Sequence, residues 1–337
     1  MPQAPNRLAG ALLEVFCQQS AVFKTLLDKS RKSHSTQDIY VDGLSNPSVR
    51  AMVVAAMLGQ LDEPIVVLVT DAQASKRYHR DLLELLPANQ IAVWPAEEFS
   101  PYDLSDLPTS TIKAQYEIAS DLLAQKPKVY LIPAKALALK HLSVHRQNEL
   151  AIQLEVGQEI SPQQLATLCT ERGYMKTGII LEPGEFSVRG DIFDLYPVQA
   201  EPVRIEFFGD TIESIRIINP ETQRSVESVK TARAIPKHAL VLTEENEKLL
   251  VDKLYKCLSA QSKNLESIDA EALNETINNQ VQALQSQQHL RADGMDYYAA
   301  LVETKIDAFE NVASLISTNM LLVLDDWAMT DNYLAGY

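Results

Sequence analysis

"VDGLSNPSVRAMVVAAMLGQL", residues 41–61, has the outline of a nucleotide-binding turn: an apolar lead-in strand ("IYV", 39–41), a loop containing Gly43, and an apolar run of helical length. A phosphate-cradling loop reads G-x-x-x-x-G-K-[ST]. Its glycines let backbone N–H groups approach the phosphates, its lysine reaches their oxygens and its hydroxyl holds Mg²⁺. On that frame Gly43 takes the first position, and Ser48, Val49 and Arg50 take the last three. Val49 brings no charge to a phosphate, Arg50 cannot coordinate a cation, and Pro47 has no N–H to donate. Each charge-assisted hydrogen bond lost removes roughly 1.5–3 kcal/mol. The loop therefore keeps the strand, turn and helix without the chemistry, and the chain by itself is expected neither to bind nor to hydrolyse ATP. No cofactor is expected.

Outward from the loop, short apolar runs alternate with helical stretches. "PIVVLVT" (64–70), "IAVWP" (91–95) and "VYLIP" (129–133) predict buried strands, and "DAQASKRYHRDLLELLP" (71–87) predicts a helix capped by Asp71, with Tyr78, Leu82, Leu83 and Leu86 along one side. Strands alternating with helices imply a parallel sheet covered on both faces. Ligands of such sheets bind beyond the carboxyl ends of the strands, where the Gly43 loop is expected to lie. A late run, "LLVLDD" (321–326), predicts a strand able to join the same sheet, with Asp325 and Asp326 where an active nucleotide hydrolase would place its carboxylates.

From about residue 151 the pattern changes. "LAIQLEVGQEI" alternates as a strand, and "SPQQLATLCTERGY" predicts a helix with Ser161 as N-cap, Pro162 at its first position and Gly173 closing it. Short strands separated by the turns "EPGE", "YPVQAEP" and "FFGD" then predict an antiparallel meander. After "PETQRSV" the chain returns to helices, with Leu249, Leu250, Leu254 and Leu258 at helical spacing and a Gln-rich stretch, "QALQSQQH", expected as a solvated helix. Three parts are expected: a RecA-like, P-loop-like α/β lobe over 1–134, a smaller inserted α+β domain over 135–222, and a helical return over 223–337 that completes the first lobe.

Composition narrows the function. Lys plus Arg number 30 against 45 Asp plus Glu, a net charge of −15, so independent nonspecific duplex binding, which depends on neutralising phosphates, is disfavoured. Cys17, Cys169 and Cys257 lie far apart with no C-x-x-C pair, which suggests neither a disulfide framework nor a zinc site and fits a reducing compartment. The N-terminus has no signal-peptide organisation and no run reaches about 18 apolar residues, so a cytoplasmic protein without membrane contact is expected. His141 and His145 stand at i,i+4 spacing without a third ligand and are expected as a surface pair. Cys169 is expected as a small core residue. No catalytic residue and no metal ligand is expected.

The stretch "GEFSVRGDIFDLYPVQAEPVRIEFFGDTIESIRIINPETQR" (184–224) resembles the signature shared by the bacterial transcription-repair coupling factors (Mfd) and the excision-repair protein UvrB. "WPAEEFSPYDLSDLPTSTIKAQ" (94–115) and "GMDYYAALV" (294–302) resemble further stretches of the coupling factor, and the decayed loop favours it over UvrB, whose phosphate loop is intact. The resemblance covers nearly the whole chain. It implies the N-terminal UvrB-like module, ending near Tyr337, of a protein that continues into an RNA-polymerase-binding domain and an ATP-driven DNA-translocating motor.

What the resemblance implies for function is recruitment: UvrA, the damage-recognition ATPase of nucleotide excision repair, would bind the second domain through the positions of Arg189, Phe193 and Arg204. RNA polymerase and DNA would be reached only through the missing domains, and the C-terminal motor would make an intramolecular contact. Arginine beside an exposed aromatic is the usual composition of an interface hot spot. The alternative is that Phe193 belongs to the core and the arginines pair with cross-strand acids such as Glu206; strand alternation puts Phe193 on the side of Leu195, away from Ile192, without saying which side is exposed. Charge reversal at Arg189 is expected to abolish association with UvrA and leave the melting temperature nearly unchanged. Two rival functions remain open: a UvrB-type ATP-dependent damage binder, which Val49 opposes, and a mainly autoinhibitory module for the parent motor.

Overall fold

Unbroken runs of aliphatic residues suit strands covered on both faces. Two such runs, β1 (Ile65–Val69) and β3 (Val129–Pro133), are buried along their whole length at the centre of a four-stranded sheet. The computed structural model describes residues 7–32, 39–95, 107–261, 267–285, 298–305 and 307–334. Its contacts divide the chain into two compact units, one drawn from Met1–Glu98, Ala114–His141 and Glu310–Tyr337, the other from Phe99–Lys113 and Leu142–Phe309.

In the first unit β2 (Ile91–Val93) and β14 (Leu321–Leu324) complete the sheet in the order β14-β1-β3-β2, and every neighbouring pair is parallel. This is the α/β layer with a parallel sheet that the alternation of runs implied. The late strand pairs Ile65 with Leu321 through Leu68 with Leu324. A core joins helices α2 (Ala21–Lys32), α3 (Pro47–Leu61) and α4 (Ala72–Leu83) to the sheet through Phe23, Val54, Leu58, Leu82 and the inward residues Ile65, Val67 and Val69; Leu13 and Phe16 of α1 (Arg7–Gln19) pack at its margin. Asp71 caps α4 by accepting the Ala74 N–H at 2.7 Å, as its position predicted.

One expected strand is missing. Residues 39–41 form no strand, and Tyr40 is 92% exposed. Three residues make a short run, and β1 already has β14 and β3 as neighbours on its two sides, so the lead-in has no place beside it. In chain order α5 (Thr109–Leu123) precedes β3 and β4 (Lys140–Leu142) follows it. Half of the tryptophan-proline motif at 94–115 and the start of the stretch at 294–302 lie outside the described residues.

The second unit holds α6 (Val144–Leu150), β5 (Ile152–Glu155), α7 (Pro162–Glu171), β6 (Met175–Lys176) and the expected meander, β7 (Glu185–Arg189), β8 (Ile192–Tyr196), β9 (Val203–Phe208), β10 (Thr211–Ile218) and β11 (Ser225–Val229). The meander strands are antiparallel in the order β11-β10-β9-β8-β7, with β6 added in parallel at the far edge. Ser161 and Gln164 form a reciprocal capping box at the start of α7, and Gly173 beyond its end has φ +83°, a conformation that favours glycine. β12 (Thr231–Ala234) pairs with β5. The buried Tyr174 hydroxyl donates to the Ile235 carbonyl at 2.8 Å and accepts the Val198 N–H at 3.2 Å.

Leu250 and Leu254 of α8 (Glu244–Gln261) meet Ile277 and Val281 of α9 (Ser267–Gln285) and Val302 of α10 (Ala299–Val302) in a separate small core of the same unit. The apolar spacing on the late helices thus marks their packing on one another. β13 (Phe309–Asn311) precedes β14 in the chain, and α11 (Trp327–Leu334) follows it.

Phe193 lies flat on Phe186, ring centroids 5.4 Å apart and planes 4° from parallel, on the buried side of the meander. Truncating a buried phenylalanine costs about 3–5 kcal/mol, against about 1 kcal/mol for a lost N-cap. Phe193→Ala is therefore expected to lower the urea-unfolding free energy several times more than Ser161→Ala.

Candidate functional site

Two places answer to the residues singled out in the sequence. The first is the remnant loop. Gly43 has φ +84° with open space around it, and its N–H donates to Asp42 Oδ1 at 2.7 Å. Asn46 caps α3: its side chain accepts the Ser48 N–H at 2.9 Å, and its carbonyl accepts the N–H groups of Val49 and Arg50 at 3.1 and 3.3 Å. With Pro47 lacking an N–H, the donors that a helix start would offer a phosphate are already committed. The Ser48 hydroxyl is also committed, donating to Asp81 Oδ2 at 2.8 Å.

Arg50 closes the site. Its Nη1 lies 2.9 Å from Asp325 Oδ1, and the Asp325 N–H donates to the Leu68 carbonyl at 2.9 Å as the β14–β1 ladder ends. The expected acidic strand end is present, but a guanidinium from the loop's own hydroxyl position faces it. Burial pushes the Asp325 carboxyl above the usual carboxylate range; Arg50 pulls it back and Asp326 pushes it further. The Tyr78 hydroxyl, buried without a hydrogen-bond partner, is raised chiefly by burial and secondarily by Asp325.

The second place is the meander's outward face. Alternation along β7–β10 puts Phe186, Phe193, Leu195, Val203, Ile205 and Ile215 in the core. The cross-strand row Ser187–Asp194–Arg204–Arg216 lies on the other face. Asp194 is the centre of that face, with a side chain only 1% exposed. Arg204 grips it with two bonds, Nε to Oδ1 at 2.7 Å and Nη2 to Oδ2 at 2.9 Å, while Arg189 Nη2 reaches Oδ2 at 2.6 Å. Next to them Arg216 pairs with Glu206 at 3.1 Å, and Ser214 donates to the same carboxylate at 2.7 Å.

The three residues singled out on this domain fare differently. Arg189 is 47% exposed, Arg204 is 17% exposed and engaged with Asp194, and Phe193 is 0% exposed. A hot-spot ring must reach the surface, so Phe193 has to be reassigned to the core. The exposed aromatic is Phe208, 79% exposed at the end of β9 on the face of Arg204 and Glu206. The signal was the dipeptide Phe207–Phe208: adjacent strand residues point to opposite faces, so one of the two rings had to leave the core.

The other candidates are resolved simply. His141 lies on β4 and His145 on α6, where it meets Glu149 at 3.3 Å, so the two do not share a helix face. Cys169 is wholly buried and burial pushes its thiol up. Among the described residues no group of three or more His, Cys, Asp or Glu is gathered as for a metal ion, and no helix is long and apolar enough to cross a membrane.

Comparison with known proteins places these observations. A family model described as the UvrB interaction domain matches residues 152–240, the segment that contains the arginine face. The transcription-repair-coupling factor of Bacillus subtilis (strain 168) is 27% identical over 324 residues, which is 93% of this chain and 26% of that protein. That of Myxococcus xanthus is 31% identical over 231 residues, 66% of this chain and 19% of that protein. The chain thus spans about a quarter or less of the length of these relatives. The resemblance to the UvrB-like N-terminal module of the coupling factors is borne out over most of the chain.

Arg50→Met would leave the Asp325 carboxylate without its cation. Because Arg50 is partly exposed, the expected cost is about 1–3 kcal/mol at about pH 7 rather than that of a fully buried pair. A carboxyl whose folded pKa is raised contributes its stability at low pH and loses it as the pH rises through that value. Without Arg50 the pKa rises further, so the deficit is expected to shrink on acidification toward about pH 5. Urea unfolding followed by the fluorescence of the buried Trp94 measures both effects.

Proposed function

We propose that this chain is a recruitment module: it binds UvrA through the outward face of the meander and so brings nucleotide excision repair to an RNA polymerase stalled at a lesion. The observation that carries this reading is one exposed guanidinium, Arg189, and one exposed aromatic, Phe208, on a single sheet face within the segment matched by the UvrB interaction domain. Arg204 already holds the Asp194 carboxylate with two bonds and Arg189 adds only one, so Arg189 keeps N–H groups that no carboxylate takes among the described residues, on a chain whose net charge is −15. An acidic partner surface complements that patch, and an exposed ring seeks an apolar pocket there.

The α/β lobe, in this reading, is a degenerate RecA-like fold that neither binds nor hydrolyses ATP, and residues 135–222 form the UvrA-binding domain set into it. Its remnant loop supports the lobe's packing: the α3 donors are occupied and Arg50 is paired with Asp325. Translocation on DNA and displacement of RNA polymerase belong to the remainder of a longer cytoplasmic parent, whose motor contacts this module.

Phe208 and Arg189 allow a test with little structural cost. Phe208 makes its contacts from an exposed position, and in Arg189→Ala the Asp194 carboxylate keeps both bonds from Arg204. Arg189→Glu is less clean, because it would set a second carboxylate against the buried one. In a binding titration with purified UvrA, each alanine variant is expected to weaken binding by about 2 kcal/mol or more, the scale of a hot spot, with the melting temperature within a few degrees of the parent chain. Unchanged affinity in both variants would refute the assignment of this face.

A further inference from the structure

We infer that Asp194 is the positioning residue of this face: it holds the Arg189 fork in place for a carboxylate on the partner, and Arg204 acts only through it. The inference rests on the UvrA reading and adds to it the chemistry of the contact.

The hydrogen bonds divide the work. Arg204 spends its guanidinium inside the chain: Nε and Nη2 go to Asp194, and Nη1 donates to the Gln223 carbonyl at 3.3 Å. Gln223 is itself fixed, with φ +58° and its side-chain amide donating to the carbonyls of Pro220 at 2.6 Å and Ile180 at 3.1 Å. Arg189 spends one bond, from Nη2 to Asp194 Oδ2. Its Nε and Nη1 make no hydrogen bond among the described residues, and the side chain is half-exposed. A planar guanidinium pinned through one Nη2 hydrogen keeps the other beside a neighbouring N–H, so one two-donor edge stays open to a carboxylate.

Asp194 can do this because it is anchored itself. It lies between Ser187 on one neighbouring strand and Arg204 on the other, and its side chain is only 1% exposed. Lysine would not replace Arg189, since the three rotatable donors of an ammonium form no planar fork to hold outward. An acidic side chain of the partner is therefore the expected counterpart, ahead of a backbone carbonyl or an aromatic ring.

A double-mutant cycle tests the assignment. UvrA affinity is measured for the parent chain, Arg189→Ala, Asp194→Asn and the double variant. Asp194→Asn is expected to weaken binding about tenfold in the parent background and less than about twofold when Arg189 is already alanine, because a positioning effect disappears with the group it positions. Arg189→Lys is expected to lose about as much as Arg189→Ala. Equal losses from Asp194→Asn in both backgrounds would mean a merely structural role and overturn the inference. If Asp194→Asn does not fold, judged by circular dichroism, Asp194→Glu takes its place in the cycle with the same expected pattern.

Independently of any partner, slow rotation of the Arg189 guanidinium, seen by side-chain ¹⁵N NMR, is expected in the parent chain and lost in the Asp194 variant. Persistence of slow rotation in the variant would also overturn the inference. Failure of the parent chain to bind UvrA at all would remove the recruitment reading while leaving the NMR test of Asp194 standing.

Discussion

A carboxylate removed from water must be neutralised or protonated, and in the second unit this constraint falls on Asp194. Its two oxygens take three hydrogen bonds from two arginines, and those bonds tie the polar face of the meander together across from the stacked Phe186 and Phe193 of the apolar one. A strand that alternates between core and surface sends every second residue outward. What is unusual is that the outward row holds a buried acid, gripped by two arginines.

The first unit meets the same constraint differently. Asp325 closes β14 and is answered by one arginine from α3. Burial outweighs that single partner and leaves the carboxyl raised. The pair at Asp325 has a plain consequence: where a cation and a nucleotide would sit between a phosphate loop and an acidic strand end, the chain supplies its own cation. Asn46, Pro47 and Ser48 complete the closure by leaving the start of α3 with no N–H to offer. At this helix start the capping groups and the Arg50–Asp325 pair come from the chain itself.

Much of the fold was legible because it rests on local rules. Asp71 and Ser161 cap helices where their positions said they would, the aliphatic runs became the buried parallel strands β1 and β3, and the turns at Gly184 and Gly209 mark the meander's bends with positive φ. The misses required tertiary information. The strand expected at 39–41 needed a neighbour that β14 already occupied beside β1. Glu206, the example of a cross-strand acid for the arginines, stands two residues from Arg204 on the same strand, and only the register reveals that Asp194 is opposite Arg204. Phe193 and Phe208 could not be ranked by composition, since a pattern of alternation says which residues share a face and not which face is wet. The i,i+4 spacing of His141 and His145 would share a face only on one continuous helix, and the chain passes from β4 into α6 between them.

The account places function on the meander and packing at the loop, and hydroxyl-radical footprinting of the chain with and without UvrA separates the two. Phe208 and Tyr40 are both highly exposed rings, one on the arginine face and the other beside the remnant loop, so both should oxidise readily in the free chain. The account predicts that UvrA protects Phe208 and leaves Tyr40 as reactive as before. Protection of Tyr40 with Phe208 unchanged would contradict it.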